Sequence, residues 1–383
     1  MFDLRAFGGA SAFLEKQEPG LVAKLLDSYG REKGAQKLAA QLDADADFGI
    51  DVPNGALLYA CEGLAVSSST ARRAARRARA RAATPLGSST GSPAVSEADP
   101  ACDQAFKLAS RSSSSKKIWL DFTGCTIRDT VWNWANQEIT IPPYDKDGTI
   151  SGEGKFNSDE MSDIVAIWRG VAEDFAPFDV DITTIPPAED TKQAYISHVC
   201  IGGNGAGTGY EGAGGVGYIN TLSNPYMQPA LVFPKNLGPD IPKYVWEATS
   251  HEIGHNLGLS HDGTTGAAAV EYYDGQGDWA PIMGVGYYKP LTHWSKGEYA
   301  AANNKEDDLA IIASQVGRAP SLAGNSLAAA TALRFVTSTD GRTATATANS
   351  IVTQPGVSDF FKFYALKGTA TIAGQVTARL ISK

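Results

Sequence analysis

The chain of 383 residues holds only five histidines, and three of them, His251, His255 and His261, fall within the run HEIGHNLGLSHDG. Residues four apart on a helix share one face, so His251 and His255 can reach a single ion. Glu252, the next residue round the helix, points beside that ion rather than at it, where a carboxylate serves as a base. Gly258 can adopt the left-handed conformation that stops a helix and turns the chain. The turn brings His261 back as a third nitrogen ligand. Three protein ligands leave a fourth tetrahedral position for water, which distinguishes a catalytic zinc from a closed structural one. Zinc lowers the pKa of its bound water to about 7. Glu252 would take that water's proton during attack on a carbonyl and pass it to the departing amine. Incidental histidines on an ordinary helix are the bland alternative, but two imidazoles stacked beside a carboxylate make poor core design.

The elements that must hold these residues follow from periodicity. KKIWLDF, FDVDITT, AYISHVCIGG and GGVGYINT read as strands. NSDEMSDIVAIWRGVAEDF reads as a helix, with Asn157 and Glu160 as a capping box and Ile164, Val165, Trp168, Val171 and Phe175 on one apolar face. A second helix carries VWEATSHEIGHNL, and a third lies near KGEYAAANNKEDDLAIIASQV. This alternation predicts an α/β (α+β) catalytic domain over 102–318. Residues 1–66 read as a small folded segment, with helical spacing from Leu21 to Leu42 and a short buried strand at ALLYACEGLA. Residues 67–101, rich in Ser, Ala and Arg, read as a flexible linker whose cluster between Arg72 and Arg81 suits trypsin-like cleavage. The tail, 319–383, has β texture.

HEIGHNLGLSHD resembles the extended zinc motif of the metzincin peptidases, and the aspartate after the third histidine resembles their reprolysin-like branch. The resemblance implies a mixed sheet with an active-site helix, a protein or peptide substrate, and a methionine turn, for which WAPIMGVGYY supplies Met283 as an apolar floor under the imidazoles. It also implies an edge strand lying antiparallel to bound substrate, with Gly215, Val216, Gly217, Tyr218 and Ile219 as its upper rim. Asp262 is expected to be a structural hydrogen-bond partner at that floor. More narrowly, residues from about 110 to 315 resemble bacterial-type secreted peptidases. The tail loosely resembles their pre-peptidase C-terminal domain. A secreted zymogen acting as a monomer is the expectation, although MFDLRAFGGASAFLEKQ does not read as a signal peptide. The alternative is a repurposed metzincin-like domain that binds extracellular matrix or cell-wall protein without cutting it.

Bulk properties narrow the field. A formal charge of −9 disfavours nucleic acid as the main partner. No apolar run is long enough to predict a membrane helix. The matches to GxGxxG between Gly207 and Gly217 precede a strand rather than a helix, so a loop flanking the cleft is expected there instead of a nucleotide site. YDKDG has the look of a Ca2+ loop but lacks the downstream glutamate, and an ordinary polar turn is the preferred reading. Asp179 and Asp181 are expected to face solvent from a strand. His293, Tyr287 and Tyr288 are assigned no ligand role. Cys200 reads as a core residue. Cys61, in LLYACEGL, reads first as part of a buried strand, but a cysteine ahead of the catalytic region can also fill the open zinc position and enforce latency.

Overall fold

The computed structural model describes residues 9–63, 104–133, 138–148, 156–187, 195–238 and 241–339, and 341, 344–346, 348, 350–354 and 356–363 of the tail. The Arg-rich linker lies outside the described residues. The first described elements are three short helices, α1 (Ala10–Glu15), α2 (Pro19–Tyr29) and α3 (Gly34–Ala44), followed by the hairpin of β1 (Phe48–Asp51) and β2 (Ala56–Glu62). Their apolar faces close on a core of Phe13, Leu25, Leu38, Phe48, Leu57 and Tyr59.

The second unit begins with β3 (Lys117–Asp121) and a small hairpin of β4 (Cys125–Ile127) and β5 (Ile139–Ile141). Helix α4 (Ser158–Asp174) follows, opened by the expected capping box. The Asn157 side chain accepts from the Glu160 amide, and the Glu160 carboxylate accepts from the Asn157 amide, both at 2.9 Å. Next come β6 (Asp181–Thr183), β7 (Tyr195–Ile201), β8 (Ala213–Tyr218), β9 (Ala230–Val232) and helix α5 (Pro242–Asn256). The pair β10 (Trp279–Pro281) and β11 (Leu291–His293) precedes helix α6 (Asp308–Val316). In the tail, β12 (Thr331–Ala332), β13 (Val336–Thr337), β14 (Ala344–Thr345) and β15 (Phe361–Lys362) are two-residue pairings with exposed side chains.

Among the described residues, one seven-stranded sheet organises the fold, in the order β1-β2-β8-β9-β7-β3-β6. It is mixed: β6, β3, β7 and β9 run parallel, whereas β8, β2 and β1 join antiparallel. Helices α4 and α5 pack on the sheet and on each other so closely that a Cβ at Gly170 would overlap the Trp246 ring. The resulting core includes Ile118, Leu120, Ile164, Val171, Ile253 and Met283.

Two expectations need correction. Asp181 does not face solvent: it is fully buried, and its charge is compensated by Lys117 Nζ at 2.7 Å and by the Arg111 amide at 2.9 Å. Strand β8 is not a free edge, because β2 of the N-terminal unit pairs along it from Leu58↔Tyr218 to Glu62↔Ala213. Cys200 is buried as expected, and it is also tied to Cys125 by a disulfide that staples the β4–β5 hairpin onto β7.

Candidate metal centre

Helix α5 is unusual in its composition, since Glu247, Thr249, Ser250, His251, Glu252, His255 and Asn256 are all buried. Such a helix needs a polar reason to be inside. Ser250 donates to Asp174 Oδ2 at 2.7 Å, and Asn256 Nδ2 donates to the Tyr218 carbonyl at 2.9 Å. The helix ends as the sequence predicts. Gly258 has φ +99°, its amide donates to the His255 carbonyl at 2.8 Å, and the Leu259 amide reaches back to the Gly254 carbonyl at 3.0 Å. That turn lets the Leu259 carbonyl accept from His255 Nδ1 at 2.9 Å, while the Ile282 carbonyl accepts from His251 Nδ1 at 2.8 Å. With their Nδ1 atoms occupied, both rings direct Nε2 inward.

Four residues meet at this point. One ligand atom each from Cys61, His251, His255 and His261 lies within 4.8 Å of the other three, and all four residues are buried. Cys61 Sγ is 3.5 Å from both His255 Nε2 and His261 Nε2. Two ligands bound tetrahedrally to zinc, nitrogen at about 2.05 Å and sulfur at about 2.3 Å, would be about 3.6 Å apart. The spacing therefore fits a shared ion. Burial holds His251 and His261 down to about 3 and His255 well below the usual range, with repulsion from neighbouring imidazoles adding at His251 and His255. Neutral imidazoles are the form a metal requires. His251 Nε2 is buried without a hydrogen-bond partner, an orphan that a cation would satisfy.

No family model, no curated protein and no solved structure matches this chain. The functional reading therefore rests on the site itself. Glu252 is buried beside the cluster, and neither carboxylate oxygen makes a hydrogen bond of normal geometry. Burial pushes its carboxyl well above the usual range, and the facing Cys61 thiol offsets part of that shift. The glycines of β8 have their explanation here. A Cβ at Gly215 would overlap the Glu252 carboxylate, and one at Gly217 would come within 2.9 Å of it. Val216 and Tyr218 point to the opposite face of the sheet and pack with Trp132 and Phe233, while Ile219 joins the N-terminal core.

Met283 is fully buried and packs against Gly254, on the helix turn between the two histidines. Asp262 ties into the same place, but through its backbone: its amide donates to the Met283 carbonyl at 2.8 Å, and its carbonyl accepts from Tyr273 at 2.7 Å. The Asp262 carboxyl instead lies beside Tyr299 and Asp308, and burial followed by the charges of Glu306 and Glu298 raises it to about 8. Tyr287 lines a cavity next to the cluster with Ala248, Glu252, Tyr272 and Val285, and His293 turns away to accept from Trp279 Nε1 at 3.1 Å. Asp145, Asp147 and Glu160 do come together. Each is already engaged, by the amides of Gly148 and Lys146 and by the Asn157 amide and side chain.

Three site neighbours had no local signal in the sequence. Tyr59 stacks on the His255 ring at 4.2 Å and lies 3.9 Å from that of His261. The Tyr272 ring is 4.3 Å from His261, and its hydroxyl donates to Asp47. Asp45 Oδ2 sits 3.1 Å from His261 Nδ1.

Proposed function

We propose that the chain is a zinc-dependent endopeptidase of metzincin type, described here in a latent form. The observation that carries this reading is the convergence of three neutral imidazoles on one point, with an unpartnered glutamate beside them and an extended strand laid across them. Bound zinc would supply a Lewis acid and an acidified water. The other steps belong to the protein. His251, His255 and His261 would hold the ion, and Glu252, ionised beside that positive charge, would accept a proton and later return it to the leaving amine. Met283 and Gly254 pack the floor, and β8 offers backbone groups to a strand running antiparallel to it.

That β8 can take such a strand is supported by β2, which pairs there on both sides of Cys61, from Leu58 to the Gly63 amide on the Gly212 carbonyl. Burial and the Glu252 charge push the Cys61 thiol well up, so only a cation between sulfur and imidazoles makes its thiolate favourable. We read Cys61 as the fourth ligand of the latent form and β2 as the segment that denies substrate its place. The Cys125–Cys200 disulfide supports a secreted setting. Among the described residues no helix is long and apolar enough to cross a membrane. The binding-only alternative draws no support from a site that keeps all three histidines and the glutamate.

The test separates ligand from base. Purified chain should hold about one zinc, and His255→Ala should lose it. With the chain cut between Arg72 and Arg81 and the N-terminal segment diluted away, so that β2 leaves β8, Glu252→Ala should keep zinc yet lose at least about a hundredfold in digestion of a general protein substrate. Full activity without Glu252 would sink the mechanism.

A further inference from the structure

Each imidazole of the cluster needs a partner for its outer nitrogen, and the three partners have different origins. His251 and His255 use the backbone carbonyls of Ile282 and Leu259, within the same unit. His261 instead faces a carboxylate from the N-terminal unit, Asp45 Oδ2 at 3.1 Å, with both side chains almost wholly buried. Asp45 is held there by the end of α3, where its amide donates to Gln41 and its other oxygen accepts from the Asp47 amide at 3.1 Å. The nearest alternative within the second unit is Glu271, whose Oε1 is 3.9 Å from the same nitrogen, beyond hydrogen-bond range.

We propose that the N-terminal unit completes the metal site as well as covering it, with Asp45 as the positioning residue that fixes His261 with Nε2 toward the ion. The inference rests on reading the histidines as a metal site, and it adds a second role to the segment that carries Cys61. A carboxylate behind a ligating imidazole sets its tautomer and raises its basicity, which commonly changes metal affinity by about 10–100-fold. With Asp45 in place and Cys61 as fourth ligand, the intact chain acquires and keeps its ion most tightly while the site is closed. When the unit departs, Glu271, partly exposed and 3.9 Å from the same nitrogen, is left as the carboxylate near it.

The experiment is zinc affinity measured by chelator competition on the intact chain, with Asp43→Ala as control. Asp43 lies on the same helix and accepts from the Ala10 amide at 2.8 Å, so its loss disturbs the N-terminal unit without touching the cluster. Asp45→Ala should weaken zinc binding about 10–100-fold. Asp45→Asn, which keeps an acceptor oxygen but not the charge, should recover part of that loss. Glu271→Gln should change little alone and deepen the loss when combined with Asp45→Ala. The Nδ1–H proton signal of His261 in the zinc-loaded protein should move upfield in Asp45→Ala, a change that altered stability alone does not produce. An affinity for Asp45→Ala within twofold of the parent would overturn the proposal, as would an equal loss in Asp43→Ala. Zinc binding that ignores Asp45 defeats this inference alone, whereas an intact chain that takes up no zinc defeats the metal-site reading with it.

Discussion

Glycine at positions 215 and 254 is as much a part of the site as the histidines. Gly215 leaves room for the Glu252 carboxylate, so Gly215→Ala should displace the base while sparing the metal. In cut chain diluted free of the N-terminal segment it should cut kcat/KM at least about tenfold with zinc content unchanged. An unaffected rate would show that Glu252 does not need that space. Gly254 carries the second close approach, since an added Cβ would press on Met283 Sδ. Gly254→Ala should therefore destabilise the fold by about 1–3 kcal/mol in denaturant unfolding, even though alanine is the better helix former. At Met283 itself, leucine should cost less than about 1.5 kcal/mol, whereas aspartate should abolish zinc retention. The convergence of the histidines, with Glu252 beside them, was legible because helix geometry fixes the spacing of His251, Glu252 and His255. The roles of the glycines were not, because a glycine in the sequence does not say which side chain occupies the space it leaves.

Strand β2 shows how far local pattern carries at the level of elements. ALLYACEGLA reads correctly as a buried strand, and GGVGYINT reads correctly as the short strand β8. What neither segment reveals is that they pair across more than 150 residues of chain, because the pairing depends on faces that only the folded units create. Cys61 is a buried strand residue, as its setting suggested, and it also lies beside His255 and His261. The ladder shifts register between Cys61 and Glu62, and a bulge of this kind re-aims a side chain. Here the thiol is brought to His255 and His261. If that contact enforces latency, Cys61→Ser should raise the activity of the intact, uncut chain at least about tenfold in a protein-digestion assay. It should also abolish the thiolate charge-transfer band of the cobalt-substituted protein. A wild-type chain that lacks that band would remove Cys61 from the ligand set.

The molecule as a whole joins two units through one sheet, and the contacts between them decide how it would be activated. Composition changes near residue 66, but it could not show that β1 and β2 extend the sheet of the second unit. The units are held together by the β2–β8 ladder, by Tyr59 on the imidazoles, by Asp45 on His261, by the Lys33–Glu306 ion pair and by hydrogen bonds from Tyr218 to Asp51 and from Tyr226 to Asn54. These contacts persist when the linker is cut, so cleavage between Arg72 and Arg81 removes only the tether. A tether holds the segments it joins at an effective concentration well above that of the free pieces, and cutting it replaces that value with the actual concentration of the segment. Limited trypsin treatment should therefore give a product whose activity per mole rises as it is diluted, while the intact chain shows no such rise. Adding back the purified N-terminal segment should restore inhibition. Equal activity of cut and intact chain at every dilution would mean that this unit does not restrain the enzyme.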